Sequence, residues 1–223
     1  RAEGLVLRHV LEHIPQPLDF LAALREANRG GGTIFIEVPC LDWISAHRAW
    51  FDISYEHVNY FRLDDFRRMF GRVLESGHVF GGQYLYVVAD LASLRDPAAG
   101  GGVHFEFPAD FTASVARYAD QMRARQSAPG TAGSSVIWGG ASKGVIFSLF
   151  MQRAGAKVDC VVDINPAKQG RYLAATGLRV SSPEDMLRQA AAGSDIYVMN
   201  GNYLPEIRQM TQDRFNYMTV DHE

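Results

Sequence analysis

The stretch that decides the fold is Ser135-Val-Ile-Trp-Gly-Gly-Ala-Ser-Lys-Gly144, late in the chain. Four residues typical of a strand lead directly into a glycine-rich turn, and a helical apolar pattern follows over 145–154. Such a turn lets backbone N–H groups approach an anion at the start of a helix. Asp163 closes the next predicted strand, where a dinucleotide fold binds a ribose hydroxyl. The stretch therefore predicts an α/β unit with a ligand site at the carboxyl ends of its strands.

The residues after this turn continue the alternation of strands and helices. The predicted strands cover 158–163, 195–199 and 217–220, and the predicted helices cover 183–191 and 205–212. Alternating elements of this length predict a parallel, Rossmann-like sheet. The turn carries Gly139, Ala141 and Gly144 where the dinucleotide fingerprint has three glycines, so it matches incompletely. An NAD(P)-dependent oxidoreductase stays open as an alternative, although no hydride-acceptor site is recognisable downstream.

The first 90 residues predict a second sheet of different construction. The predicted elements are a strand over 4–9, a helix over 18–28, a strand over 33–38, an aromatic and irregular segment over 41–61, a helix over 63–74 and strands around 77–80 and 83–89. The strand over 4–9 is apolar without alternation, which predicts a buried strand parallel to that over 33–38. Gly81-Gly82 joins the last two strands and predicts an antiparallel hairpin.

A helix near 111–125 and a linker of small residues separate the two halves. The predicted organisation is a first domain over 1–90, a connecting helix and linker over 91–133, and a second domain over 134–223. Because the chain opens almost at once on a strand, we interpret its N-terminus as a truncation. A sheet that starts in this way would have an open edge and an exposed apolar face, which predicts a homodimer or a longer parent chain.

The composition is that of an ordinary globular protein, with 47% apolar and 21% charged residues. The formal net charge of -3 argues against a surface dedicated to nucleic acid or anionic membrane. No apolar run approaches the roughly 20 residues of a transmembrane helix, and no signal-peptide pattern opens the chain. Cys40 and Cys160 are expected to be buried thiols. The expected location is the cytoplasm.

His9, Glu12 and His13 form the first group of residues that predicts chemistry. They follow the first predicted strand, at the end of the sheet where open α/β folds bind ligands. A carboxylate and two imidazoles at that end could bind or deprotonate a small molecule. The alternative is that Glu12 and His13 only cap the turn that follows.

Tyr55, Glu56 and His57 form the second group, within the aromatic segment. A histidine has an ordinary pKa near 6.5, and a neighbouring carboxylate can orient its ring, so this pair suits a general base. The alternative is an aromatic core in which His57 only donates a hydrogen bond.

Stretches in both halves of the chain resemble known families. A class I SAM-dependent methyltransferase has, in its fourth and fifth strands, stretches similar to HVLEHIPQPLDFL and GGGTIFIEVP of this chain. The C-terminal domain that accompanies sugar C-methyltransferases closely resembles the stretches GGASKG, VVDINPAKQGRYLAATGLRVSSPEDML and NGNYLPEI. The fold implied is a partial class I methyltransferase Rossmann-like sheet followed by a second Rossmann-like parallel α/β domain.

The resemblance implies S-adenosyl-L-methionine (SAM) as the cofactor. The family's glycine-rich SAM loop and the acidic residue that binds the ribose precede the part of the sheet found here, so only Arg8 and His9 are expected to contact SAM. The family's cysteine-rich zinc module has no counterpart in the sequence, which predicts no metal site.

The resemblance also implies roles for the second group. In sugar C-methyltransferases, tyrosine, glutamate and histidine side chains help to remove a proton beside a keto group. We therefore expect His57 as the base, Glu56 as its orienting partner and His13 as a polar contact near the reacting carbon. Tyr55 stands one position later than the family's tyrosine, which weakens the assignment to carbon methylation.

The second domain of the family helps to hold a nucleotide-linked sugar. The residues expected to bind that substrate here are Gly139, Ser142, Lys143, Gly144 and Asp163. A binding module without catalysis of its own stays open as the alternative for this chain.

Overall fold

The computed structural model describes residues 2–97, 104–127 and 133–220. These residues divide into two units. Unit 1 comprises Arg1–Arg48 and Tyr55–Pro108, and unit 2 comprises Ala49–Ser54 and Ala109–Glu223. Each unit carries its own α/β sheet, and the predicted fold class is confirmed.

Unit 1 contains a four-stranded sheet and three short α-helices. Its elements are β1 (Gly4–Arg8), α1 (Pro17–Ala27), β2 (Thr33–Pro39), α2 (Leu41–Ala46), α3 (Leu63–Met69), β3 (Val73–Val79) and β4 (Tyr84–Asp90). The strand order is β1-β2-β4-β3. β1 and β2 are parallel, as the strand–helix–strand pattern predicts, and β3 and β4 form the predicted antiparallel hairpin. Phe80, Gly81 and Gly82 have positive φ angles in its turn, a conformation that glycine adopts at little cost.

The core of unit 1 lies along the two central strands. Ile34, Ile36 and Val38 of β2 are fully buried, as are Leu85 and Val87 of β4. This core fixes β2, and therefore the carboxyl ends of β1 and β2, where the polar groups of the first half gather.

Three predictions for unit 1 are wrong in detail. β1 is an edge strand whose side chains alternate, and Val6 is 66% exposed, because only β2 pairs with it among the described strands. The aromatic segment is not wholly irregular, since α2 forms within it. The helix predicted over 63–74 ends at Met69, because Phe70 adopts an extended backbone and β3 begins at Val73.

Unit 2 contains a five-stranded sheet in which every neighbouring pair is parallel. Its elements are α4 (Ala113–Ser127), β5 (Ser135–Trp138), α5 (Ser142–Arg153), β6 (Cys160–Val162), β7 (Val180–Ser181), α6 (Pro183–Gln189), β8 (Asp195–Val198), α7 (Leu204–Met210) and β9 (Asn216–Thr219). The strand order is β7-β6-β5-β8-β9. The chain reverses its direction of travel across the sheet between β5 and β8, which is where Rossmann-like folds bind ligands. β7 was not predicted.

The core of unit 2 includes a segment from the first half of the chain. Trp50 is 1% exposed and stacks on Phe147 of α5 at 5.6 Å between ring centroids. Its indole Nε1 donates a hydrogen bond of 2.8 Å to the Ser114 hydroxyl. Tyr118 of α4 also packs against Phe147. Unit 2 thus includes residues 49–54 and α4, which the predicted domain boundaries left outside the second domain.

Two further observations bear on the sequence predictions. Cys40 is buried and Cys160 half-buried, and burial raises the pKa of each thiol. None of the helices in the three described ranges combines the length and apolar character needed to cross a bilayer.

Candidate functional site

The carboxyl ends of β1 and β2 gather charged side chains around one buried carboxylate. Glu37 of β2 is 5% exposed, and its Oε1 accepts hydrogen bonds of 3.1 and 3.0 Å from Nε and Nη2 of Arg8. His9 Nε2 lies 3.2 Å from the same oxygen. The His9 backbone has φ of +53°, a conformation that costs energy in a non-glycine residue and often occurs at functional sites. Arg8 and His9 are thus held at the carboxyl ends of β1 and β2.

Glu12 is the least ordinary side chain of this region. It lies in a 3-10 turn over Leu11–His13 and is 1% exposed. Neither carboxylate oxygen has a hydrogen-bond partner among the described residues, although His9 Nδ1 approaches Oε1 at 3.5 Å. Burying a carboxylate without a partner costs free energy, so a hydrogen-bond donor or a cation bound beside Glu12 would stabilise it.

Backbone hydrogen bonds tie this turn to the aromatic segment. The N–H groups of Val58 and Asn59 donate to the Glu12 carbonyl at 2.9 and 3.1 Å. The side-chain amide of Asn59 donates to the Ile14 carbonyl at 2.6 Å. Together with the contact between His13 Nδ1 and the Glu56 carbonyl, these three hydrogen bonds hold His57 beside Glu12. None of the four involves the side chain of Glu12 or of His57.

The two histidines of the predicted site lie together. The ring centroids of His13 and His57 are 5.0 Å apart. His13 Nδ1 lies 2.9 Å from the Glu56 carbonyl, which can only accept, so Nδ1 carries a proton and Nε2 is the ring nitrogen that remains to contact a ligand. Burial lowers the pKa of His57 below 6.5, and the charges of His13 and His9 lower it further, while Glu56 opposes them. His57 is therefore favoured as a neutral imidazole that can accept a proton.

Glu12, His13 and His57 have the geometry of a ligand cluster. Each offers one nitrogen or carboxylate oxygen, and these three atoms lie within 4.8 Å of one another. The cluster can relay a proton or hold a metal ion. We refer to these three residues as the Glu–His–His cluster.

The other predicted residues of this half are placed differently. Tyr55 is 64% exposed, and Glu56 is exposed with its carbonyl, not its carboxylate, at the His13 ring. The sequence placed Glu12 in the first group of candidate residues without giving it a catalytic role, and it did not single out Glu37. The position of Glu12 directly before His13 and three residues after His9 is the signal in the sequence that points to it.

The glycine-rich turn of unit 2 is bound to Asp163. The Oδ2 atom of Asp163 accepts a hydrogen bond of 3.0 Å from the Gly140 N–H and another of 3.0 Å from Lys168 Nζ. Its Oδ1 accepts from the Asn165 N–H at 2.9 Å. The carboxylate expected to meet a substrate hydroxyl thus also organises the turn around it.

Gly139 and Gly144 determine how closely this turn packs. Gly139 has φ of +120°, and its carbonyl oxygen lies directly over the Cα of Gly144 in the first turn of α5. A side chain at position 144 would overlap that backbone oxygen. Ser142, Lys143 and Gly144 belong to α5, which begins three residues earlier than predicted.

A Gly144→Ala substitution is expected to lower the free energy of unfolding of unit 2 by about 1–3 kcal/mol. The added methyl group meets backbone, which cannot rotate away, and this outweighs the helix propensity that alanine gains. Denaturant unfolding measures the change. Gly140→Ala is the matched control, since its Cβ would lie 3.4 Å from the nearest atom, at Asp163. Equal losses in both variants would contradict the steric argument.

Lys143 contacts residues 49–54, the segment of the first half of the chain that belongs to unit 2. Its Nζ lies 3.4 Å from Asp52 Oδ2 and 5.6 Å from the centre of the Phe51 ring. The side chains of Lys143 and Asp52 are each 15% exposed. An anion bound at the start of α5 would therefore compete with Asp52 for this ammonium group.

Two family models match the chain. Residues 1–73 match a methyltransferase domain, and residues 92–216, more than half of the chain, match a C-methyltransferase C-terminal domain. A search of curated proteins finds no match.

Proposed function

The chain belongs to the C-methyltransferase family of SAM-dependent methyltransferases, and from this premise we propose that its acceptor is a nucleotide-linked sugar or a similar small metabolite. We propose further that the methyl group goes to a carbon beside a keto group, with His57 as the base. The observation that carries the proposal is the burial of Glu12 beside two histidines, one of which has a lowered pKa.

His57 would take the proton from the acceptor carbon, and the electron pair left behind would be delocalised onto the keto oxygen. The remaining task of this chain's residues would be to hold donor and acceptor in line. Glu12, whose carboxylate is buried in the Glu–His–His cluster, would stabilise the imidazolium together with the negative charge of the exposed Glu56. His13 would contact the acceptor through Nε2.

SAM, when bound, supplies an electrophilic methyl group on a sulfonium cation. The site at the ends of β1 and β2 fits such a cation, because the Glu12 carboxylate is buried and its oxygens accept no hydrogen bond from the described residues. We propose that Arg8 and His9 contact the cofactor, and that their hydrogen bonds and ion contacts to Glu37 hold them in position.

The start of α5 supports the nucleotide-linked acceptor. No side chain caps this helix, whose N-cap is Ala141, so its first N–H groups suit a phosphate. We propose that Ser142 and Lys143 bind the phosphates, while Gly139, Gly144 and Asp163 keep the turn in shape. The internal use of Asp163 and of the Gly140 N–H disfavours the NAD(P) alternative, in which both would face the dinucleotide.

Solvent exchange tests the base and the acceptor class together. The intact enzyme is incubated in D2O, without SAM, with a panel of nucleotide-linked keto-sugars and with the same sugars lacking the nucleotide. We expect deuterium at the carbon beside the keto group of a nucleotide-linked member, and much slower exchange in the His57→Asn variant.

Two outcomes would overturn parts of this proposal. Methyl transfer without any exchange in the panel, under conditions where the sugars bind, would exclude carbon methylation through a His57-dependent enolate. Equal exchange with and without the nucleotide would exclude a nucleotide-linked acceptor.

A further inference from the structure

The Glu–His–His cluster satisfies the ligand requirements of a transition metal as well as those of a base. Two imidazoles and one carboxylate form a donor set that Zn²⁺ commonly uses, with a remaining position for water or substrate. The three donor atoms already lie within 4.8 Å of one another, so an ion at their centre would need only small side-chain movements.

Burial and charge favour a cation at this place. The Glu12 carboxylate is 1% exposed, and both of its oxygens lack hydrogen-bond partners in the described part of the chain. A His57 ring nitrogen, Nδ1, is buried and also lacks a hydrogen-bond partner there. A divalent ion would satisfy these acceptors and offset the cost of burying the negative charge.

The surrounding hydrogen bonds resemble those of established metal sites. A histidine that binds a metal usually donates its other ring N–H to a carbonyl or carboxylate, which fixes its orientation. His13 does so, since Nδ1 donates to the Glu56 carbonyl and leaves Nε2 as the nitrogen that would bind the ion. The bonds from Val58 and Asn59 to the Glu12 carbonyl hold the two ligand-bearing segments together in the absence of an ion.

We infer that Glu12, His13 and His57 form a Zn²⁺ site whose occupation blocks methyl transfer. Binding rests on the ligand geometry alone, whereas the block rests on the proposed function, because the ion would occupy the imidazole that acts as the base. The sequence predicted no metal site, because it holds no counterpart of the family's cysteine-rich zinc module. The site inferred here uses none of those ligands.

Calorimetric titration with Zn²⁺ tests the site, without SAM or acceptor and on protein free of any polyhistidine tag. We expect one tightly held ion per chain. Glu12→Gln and His13→Asn should each weaken binding by more than the roughly 10–100-fold that loss of a second-shell partner costs. His13 is exposed, so its variant is expected to fold normally even if the Glu12 variant does not. Co²⁺ should show visible d–d absorption in the parent protein and lose it in both variants.

His104→Asn is the matched control, because His104 is an exposed histidine of unit 1 whose recorded ionic partner is Glu106. The His104→Asn variant should bind Zn²⁺ as tightly as the parent protein. Absence of tight Zn²⁺ binding, or equal Zn²⁺ binding in all variants, would overturn the site.

In the intact enzyme, Zn²⁺ should abolish turnover and a chelator should restore it. Tight binding through the cluster without inhibition would overturn the block and the role of His57 as base, and leave the metal site standing.

Discussion

Replacing His57 by asparagine should lower kcat of the intact enzyme by about 10²–10⁴-fold, the usual contribution of a general base. The substitution removes the imidazole that is half-buried beside Glu12 and His13 and that is favoured in its neutral form. Asparagine can replace a hydrogen bond but cannot take up a proton. Affinities for SAM and for the acceptor should therefore change little, and the loss should appear in kcat and kcat/KM alike.

Steady-state kinetics and calorimetric titration of the two substrates measure these quantities separately. His78→Asn is the control, because His78 is an exposed histidine of β3 outside the Glu–His–His cluster, and its turnover should match that of the parent enzyme. A His57→Asn enzyme that keeps turnover within tenfold of the parent would exclude His57 as the base. A loss that arises only from weaker acceptor binding would make His57 a binding residue instead.

Elements whose signals lie within a few neighbouring residues could be predicted from the sequence. β2 begins at Thr33 as predicted, because a buried apolar run is bounded by glycines before it and Pro39 at its end. The antiparallel hairpin follows from Gly81 and Gly82 between two strand-like runs. The parallel sheet of unit 2 follows from regular alternation of strands and helices.

Burial by distant parts of the chain could not be predicted in the same way. In β1, Leu5 and Leu7 pack on the core while Val6 is exposed, and three consecutive apolar residues cannot reveal that one face stays open. β7 is two residues long, too short for any periodicity. A pattern in neighbouring residues carries no information about which side of a strand another element covers.

The sequence also did not predict that Glu12, His13 and His57 together form the Glu–His–His cluster. His13 and His57 could be selected individually, since histidines near predicted strand ends suggest chemistry. The hydrogen bonds from Val58 and Asn59 to the Glu12 carbonyl bring Glu12 to His57, and they join segments far apart in sequence. The orienting role was therefore assigned to Glu56, the sequence neighbour of His57, whose carboxylate the structure leaves exposed.

Trp50→Ala should lower the free energy of unfolding of unit 2 by about 3–5 kcal/mol, the usual cost of truncating a buried aromatic side chain to alanine. Trp50 is almost fully buried against Phe147 and Phe150, and its indole donates to Ser114. The substitution would leave a cavity among aromatic rings and remove the donor to that hydroxyl. Hydrogen exchange should report faster opening of β5, β6 and β8 in unit 2.

Trp50→Phe is the matched control, because it keeps an aromatic ring at the position and loses mainly the hydrogen bond, worth about 0.5–1.5 kcal/mol. The amides of β2 and β4 provide an internal reference, since they belong to unit 1 and Trp50 belongs to unit 2. If exchange in β2 and β4 accelerated as much as in β5, residues 49–54 would stabilise both units, and their assignment to unit 2 alone would be wrong. Protection unchanged throughout would mean that the ring of Trp50 does not belong to the core of unit 2. The expected pattern, with faster exchange confined to unit 2, follows because the segment directly before Tyr55 is anchored in the C-terminal unit by an aromatic cluster.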